Sequence, residues 1–270
     1  MGSAGLGGGG AKRAVTLALL STLVLFAALV YGITHAPNWP EVKAAFFDWG
    51  KYRDSFPEIS RAFLLNVKIF CIAEAFILVF ALLLAVLRSL PGPVFFPVRA
   101  LAIAYADFFR GVPTILVIAL LGFGAPALAI EGVPTSTTFW GVVSLVLIYT
   151  AYVSEVYRAG IESVHPSQEA AARSLGLTRG QALTSVVLPQ AVRRVIPPLL
   201  NDFIGLQKDT ALVGILGSVE AFKQAQIEVS ADFNFTHYLV AATLFVAITI
   251  PLARLTDWLV ARDRRRRLAG

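Results

Sequence analysis

Sulfur and imidazole are scarce in this chain of 270 residues, which holds one cysteine and three histidines. The single cysteine, Cys71, cannot close an internal disulfide and says nothing about the redox compartment. His35, His165 and His237 fall near the ends of apolar runs or between them, with no HExxH and no CxxC. That removes the ligand spacing an integral membrane metalloenzyme needs. Charge is also thin, at 15% of residues against 57% hydrophobic. The mean hydropathy of +0.72 is too high for a water-facing globule. A nucleotide-binding loop is missing as well. Gly5, Gly10 and Lys12 imitate one, but the lysine is displaced by one place, no serine or threonine follows it and no strand precedes it.

What the chain has instead is long apolar runs. Stretches of about 18 residues or more can cross a bilayer core about 30 Å thick, so the fold class expected is all-α, a polytopic helical membrane protein. Strands of a β-barrel would alternate polar and apolar residues, and these runs do not. Six spans are expected. Residues 1–13 read as a disordered glycine-rich tail and 14–36 as a first transmembrane helix, retained and not cleaved as a signal peptide. Residues 37–58 read as an interfacial amphipathic helix outside the membrane, with Val42, Phe46, Trp49, Tyr52 and Phe56 on one stripe. A permease-like membrane domain follows over 59–261. It holds a long span at 59–90, a turn at 90–93, a surface-lying helix, and a span from about Tyr105 to Phe123. Further spans are expected at about 138–164, 196–216 and 238–260, and a basic tail closes the chain at 262–270. Six spans leave both termini on one side. Lys12 and Arg13 at one end, with Arg262, Arg264, Arg265, Arg266 and Arg267 at the other, make that side cytoplasmic. The net charge of +6 therefore reads as membrane orientation, with membrane lipid and not nucleic acid as the partner.

The loop at 165–194 falls on the same side and is the most structured-looking connection. Ser167 is placed to cap a helix with Glu169 in its first turn. Ala170, Ala171 and Ala172 supply helix propensity with almost no bulk. Gly176 supplies a left-handed stop, and Thr178 with Gln181 forms a capping box for a second helix. The expected product is a slim helix of about two turns, roughly 13 Å long at about 1.5 Å per residue.

This pattern resembles the cytoplasmic coupling loop of ATP-binding-cassette importer permeases, in which EAA, three residues, glycine, nine residues and I-x-L-P follow one another. Ala171 and Ala172 precede Gly176 at the family interval, and Leu188-Pro189 closes the pattern. The family's glutamate falls on Ala170, while this chain carries its acid one place earlier, at Glu169. Further elements are similar to the polar amino acid branch, whose permeases serve histidine, glutamate, glutamine, arginine and opines. They are Tyr105-Ala106-Asp107-Phe108-Phe109-Arg110-Gly111-Val112-Pro113, then Ala151 to Ile161, Val187-Leu188-Pro189-Gln190-Ala191, Pro197-Pro198-Leu199 and Lys208-Asp209-Thr210. The resemblance covers about residues 60–260.

It implies a six-helix type I permease fold and no enzymatic activity in this chain. It also implies that ATP and Mg are used by a dimer of partner ATPase subunits, with no cofactor or metal bound here. A second permease chain, identical or different, and an extracytoplasmic solute-binding protein complete the implied machine. The ATPase-gripped segment is then Ser167, Gln168, Glu169, Ala170, Ala171, Ala172, Arg173, Ser174, Leu175 and Gly176. Glutamate or a related amino acid is the favoured solute within the branch. Two other classes compete: an integral membrane enzyme, against which the histidine placement counts, and a stand-alone secondary transporter, which has no use for a coupling loop.

Ionised groups in or beside the spans, namely Glu74, Asp107, Arg110, Glu155, Arg158, Lys208 and Asp209, must face protein or water and not lipid. Asp202 shares that setting. Glu155–Arg158 and Asp107–Arg110 are expected as structural pairs, with Glu74, near mid-span, the better candidate for the solute path. Lys208 and Asp209, about 100° apart on a helix, each need a partner elsewhere.

Overall fold

The computed structural model describes residues 8–90 and 92–269, and no strand occurs among them. Residues 1–7 of the expected tail, and Pro91 of the expected turn, lie outside the described residues. Helix α1 runs Gly8–Thr34. The part of the 1–13 tail that is described is therefore helical, because a nucleated apolar helix gains one hydrogen bond for each residue added at its end. Every side chain described in α1 is exposed.

The single interfacial helix expected over 37–58 is instead two pieces. Helix α2 is Trp39–Phe46 and α3 is Trp49–Arg88. The break comes at Asp48, whose extended backbone and carboxylate, accepting from the Lys51 N–H at 3.2 Å, make it the cap of α3. From there 40 residues continue without interruption, about 60 Å of helix at about 1.5 Å per residue, so the second half of the aromatic stripe belongs to the long span.

Pro113 moves the start of the third expected span beyond Tyr105. Helix α4 is Phe96–Gly111 and α5 is Thr114–Ala127, bent by 103°. Val112 is extended, as a residue before proline prefers to be, and Pro113 opens α5. The break thus falls after Arg110. Tyr105, Asp107 and Arg110 lie on α4 and not in the span that follows it.

Helix α6, Thr137–Glu162, is capped by Ser136, which accepts from the Phe139 N–H at 3.3 Å. Then come α7, Pro166–Ser174, and α8, Arg179–Ala182, with a π-helical turn at Leu183–Val187. Helix α9 is Leu188–Asp209, which yields to a 3₁₀ turn at Thr210–Leu216. The helix expected as a fifth span from 196 therefore begins at 188, and Arg193 and Arg194 sit in it and not in a loop. Helix α10, Ala221–Asp232, has no counterpart in the sequence reading. Helix α11 runs Thr236–Ala269, so the expected basic tail continues the last helix as far as Ala269, and Gly270 lies outside the described residues.

By length and composition four of these helices can cross a membrane, or five if the bent pair α4–α5 is one span. The expected six is not confirmed among the described residues. Helix α9 carries Arg193, Arg194, Asp202, Lys208 and Asp209 and is too polar to count.

Helix α6 is the axis of the bundle, with α3, α5 and α9 packed round it. Ile69, Ala73, Ile77 and Ala81 of α3, four residues apart, form one helical stripe in the central core with Leu145, Ile148 and Val153 of α6. A second core, of Ile59 and Phe63 with Ala221, Ala225 and Val240, ties α3 to α10 and α11. Gly160 permits the close crossing of α6 and α9, since a Cβ there would collide with the Val195 side chain.

Candidate coupling and translocation site

Helix α7 is the peg that the sequence reading anticipated, but Ser167 is not its cap. His165 is, its Nδ1 accepting from the Ser167 N–H at 3.2 Å, while Pro166 takes the first helical position. Proline needs no donor partner there and its φ is already helical, so the cap shifts two residues back. Gly176 adopts φ +91, the left-handed stop expected. Thr178 and Gln181 form the reciprocal capping box.

Ala172 is the one buried residue of α7, and the peg stands on it. Ala172 is therefore turned towards its own chain and not outwards. Ser167, Gln168, Ala170, Ala171, Arg173, Ser174, Leu175 and Gly176 are exposed, Leu175 by 83%. Glu169 lies 3.7 Å from Arg179 and Gln190 donates to Gln168 at 3.4 Å, so two polar side chains of α7 brace it against α8 and α9. Behind it, Val164, Val187 and Ala191 make a small apolar seat.

At the same end of the bundle Glu155 gathers three helices. Arg88 of α3 donates to it at 2.6 Å, Arg158 of α6 pairs with it, and Arg110 of α4 approaches to 3.8 Å. Arg158 also reaches Glu162 at 2.5 Å. The expected Glu155–Arg158 pair is present within a larger cluster. The expected Asp107–Arg110 pair is not: among the described residues Asp107 is exposed without an ion pair, because Arg110, one turn on, turns towards Glu155. Arg88, the third arm of the cluster, lies 67 residues from Glu155, and no local spacing pointed to it.

Higher in the bundle Tyr149 donates to Asp209 at 3.0 Å, the partner that carboxylate required. Lys208 is exposed on α9 in the field of Asp209. Glu74 is 9% exposed, and its Oε1 has no hydrogen-bond partner. Asp202 is within electrostatic reach of it, and its own Oδ2 is likewise unpartnered. A cavity of about 350 Å³ opens between Arg110, Tyr152, Ala159, Arg194, Pro198 and Asp202.

The α10 end is closed by contrast. Asn66 donates to Glu220 and to Thr210, both at 3.0 Å, and accepts from the Ala221 N–H at 3.0 Å. Glu220 caps α10 through the Phe222 and Lys223 N–H groups. Asp232 accepts from Lys51 at 2.8 Å, from the Asn234 N–H at 2.9 Å and from His237 at 3.2 Å. The Lys51 ammonium, first among these, holds the Asp232 carboxyl down at about 2.

Residues 77–267 match the family described as binding-protein-dependent transport system inner membrane component. The probable amino-acid permease protein YxeN of Bacillus subtilis is 34% identical over 78% of this chain and 93% of its own length. The glutamate transport system permease protein GluC of Corynebacterium glutamicum is 32% identical over 74% and 92%. Among solved structures, the crystal structure of an amino acid ABC transporter with histidines superposes with a TM-score of 0.71. It is 28% identical and covers 80% of this chain and 98% of that one.

Proposed function

Because the chain belongs to the binding-protein-dependent transport system inner membrane components, as an amino acid ABC permease whose ATPase is a separate subunit, we propose that it conducts a polar amino acid inward under the drive of that ATPase. Glutamate or its amide is the favoured solute, in keeping with relatives named for glutamine and glutamate. An extracytoplasmic binding protein delivers it. Two permease chains and two ATPase subunits make the working unit, with both termini of this chain in the cytoplasm beside α7.

The observation that carries this reading is the exposed peg. A membrane protein with no outside partner has no reason to hold a capped, glycine-stopped helix in water with Leu175 bare at its tip. Closure of the ATPase pair pushes α7. The push passes through Ala172 and the Val164–Val187–Ala191 seat into α6 and α9, which cross tightly at Gly160. Rigid elements of this kind switch between two packings and do not bend continuously. The chain does no chemistry on the solute.

The test is reconstitution of the permease with its ATPase and binding protein in liposomes. ATP-dependent accumulation of labelled glutamate or glutamine is expected, lost with Leu175→Asp while the protein still inserts. Uptake that persists without any ATPase would point to a secondary transporter and end the reading.

A further inference from the structure

We infer that Pro189 is a positioning residue for coupling: it holds the π turn at Leu183–Val187 open, and the open turn keeps the seat of α7 in line with the core stripe of α9. This rests on the import reading above and names the joint through which α7 acts.

Helix α8, the π turn and α9 form one continuous helix, since Ala182, Leu183, Val187 and Leu188 all keep right-handed helical angles where the three meet. Its buried residues from α8 to the crossing with α6 are Ala182, Val187, Ala191 and Val195, spaced by five, four and four. Steps of four keep to one face of an α-helix. A step of five, at about 100° per residue, turns about 140° away from it. The π register removes that error. Leu188 donates its N–H to the Leu183 carbonyl, five residues back, so a step of five completes close to one turn. Ala182 therefore stays in line with Val187 and Ala191, which seat α7, and with Val195, which meets Gly160 of α6.

Pro189 explains why the turn stays wide. It has no N–H, and in α register its ring meets the carbonyl of Ser185, four residues back. Widening the turn takes Ser185 out of that register. Thr184 assists, its hydroxyl donating to the Gly180 carbonyl at 2.9 Å, a back-bond that bends helices. Pro197 and Pro198 lie inside α9 with no π turn before them, so proline alone does not open one. At 189 it acts together with a buried stripe that needs the extra residue.

Helix α7 packs chiefly on α8 and the π turn. If the turn closed to α register, α8 and the seat would swing by about 100° and shift by about 1.5 Å relative to α9. A push on α7 would then meet a face no longer backed by α9, and the stroke would be lost.

The experiment uses the permease with its ATPase and binding protein in liposomes, and three variants: Pro189→Ala, deletion of Ser185, and the two together. Pro189→Ala restores the missing donor, so hydrogen exchange across 183–189 should slow while uptake per ATP hydrolysed is lost. Ser185 is exposed, and deleting it from the Pro189→Ala chain sets Ala182 and Val187 four apart, which should restore uptake. The deletion alone keeps the proline clash and should stay uncoupled. Ala182→Cys in a Cys71→Ser background reads the register without transport. It should be shielded from a maleimide beside Pro189, labelled with Pro189→Ala, and shielded again in the double variant. A Pro189→Ala chain that couples and shields like the wild type, or a double variant no better than Pro189→Ala, overturns the inference. If Pro189→Ala does not assemble, the double variant decides, since it must assemble and couple. If the wild type imports nothing, the import reading falls, and labelling and exchange still decide whether Pro189 sets the register.

Discussion

The two ends of the bundle solve opposite problems. At the α10 end polar groups are consumed internally: Asn66, Thr210 and Glu220 satisfy one another, and Lys51, Asn234 and His237 converge on Asp232. Helices α3, α10 and α11 are locked there by bonds that ask nothing of a neighbour. At the α7 end Glu155 clamps α3, α4 and α6 together, yet just beyond it the chain puts forward a helix anchored by one buried alanine. The lesson is that rigidity and availability are distributed by hydrogen-bond closure. Where donors and acceptors are paired within the chain the element is a frame, and where an apolar residue is left bare the element is a handle.

The sharpest way to break the contrast is at the handle's clamp. Glu155→Gln leaves Arg88 without its carboxylate and Arg158 with Glu162 alone, a change of about 1–3 kcal/mol for a partly buried cluster. It is expected to lower the melting temperature of the purified complex and its yield. If Glu155→Gln melts like the wild type, the cluster is not a clamp. Next in size is Gly160→Leu, which wedges α6 from α9 at a cost of about 1–3 kcal/mol. Its expected mark is a coupling defect, with ATP hydrolysis retained and uptake reduced, and normal uptake would show that the crossing does not transmit force. Leu175→Asp should weaken ATPase association by about 2 kcal/mol, about 30-fold, as removal of a central interface anchor does. Co-purification against rising salt and detergent reads this out, and it should leave the melting of the permease alone unchanged.

On the frame side, Asn66→Leu strands the Ala221 N–H and takes one donor from Glu220, and is expected to destabilise by about 1–3 kcal/mol. Hydrogen exchange should then rise across α10 and not across α7. The smallest effect concerns acidity. Asp232 is held at about 2 in the folded chain, chiefly by Lys51, below the ordinary value of 3.8. Its contribution to stability is therefore complete above about pH 4 and is lost as the pH falls towards 2. Thermal melts between pH 5 and 2.5 should show a step that Lys51→Met removes. An unchanged step would place the acid sensitivity elsewhere.

The handle was more legible in the sequence than the frame, for a physical reason. A coupling helix is made of local chemistry: Gly176 for a left-handed stop, Thr178 and Gln181 for a cap, and alanines for slimness, all within reach of one another along the chain. The error at its start was also local, because Pro166 outranks Ser167 in deciding where a helix begins. What stayed hidden is long-range. Asn66 meets Glu220 across 154 residues, and Arg88 and Arg110 converge on Glu155 from two other helices, through packing that no periodicity reports. Helix α10 was missed because Ala221–Asp232 mixes polar and apolar residues too evenly to announce a face. The orphaned oxygens of Glu74 and Asp202 likewise become visible only when α3 and α9 are brought together.

The slenderness of α7 has one more consequence. On the import reading proposed above, the partner ATPase holds the nine residues of α7 and a single leucine, touches almost none of the remaining chain, and is blind to what the interior carries. Cargo preference and power stroke can then diverge independently. One engine can serve several conduits, provided each presents the same short grip.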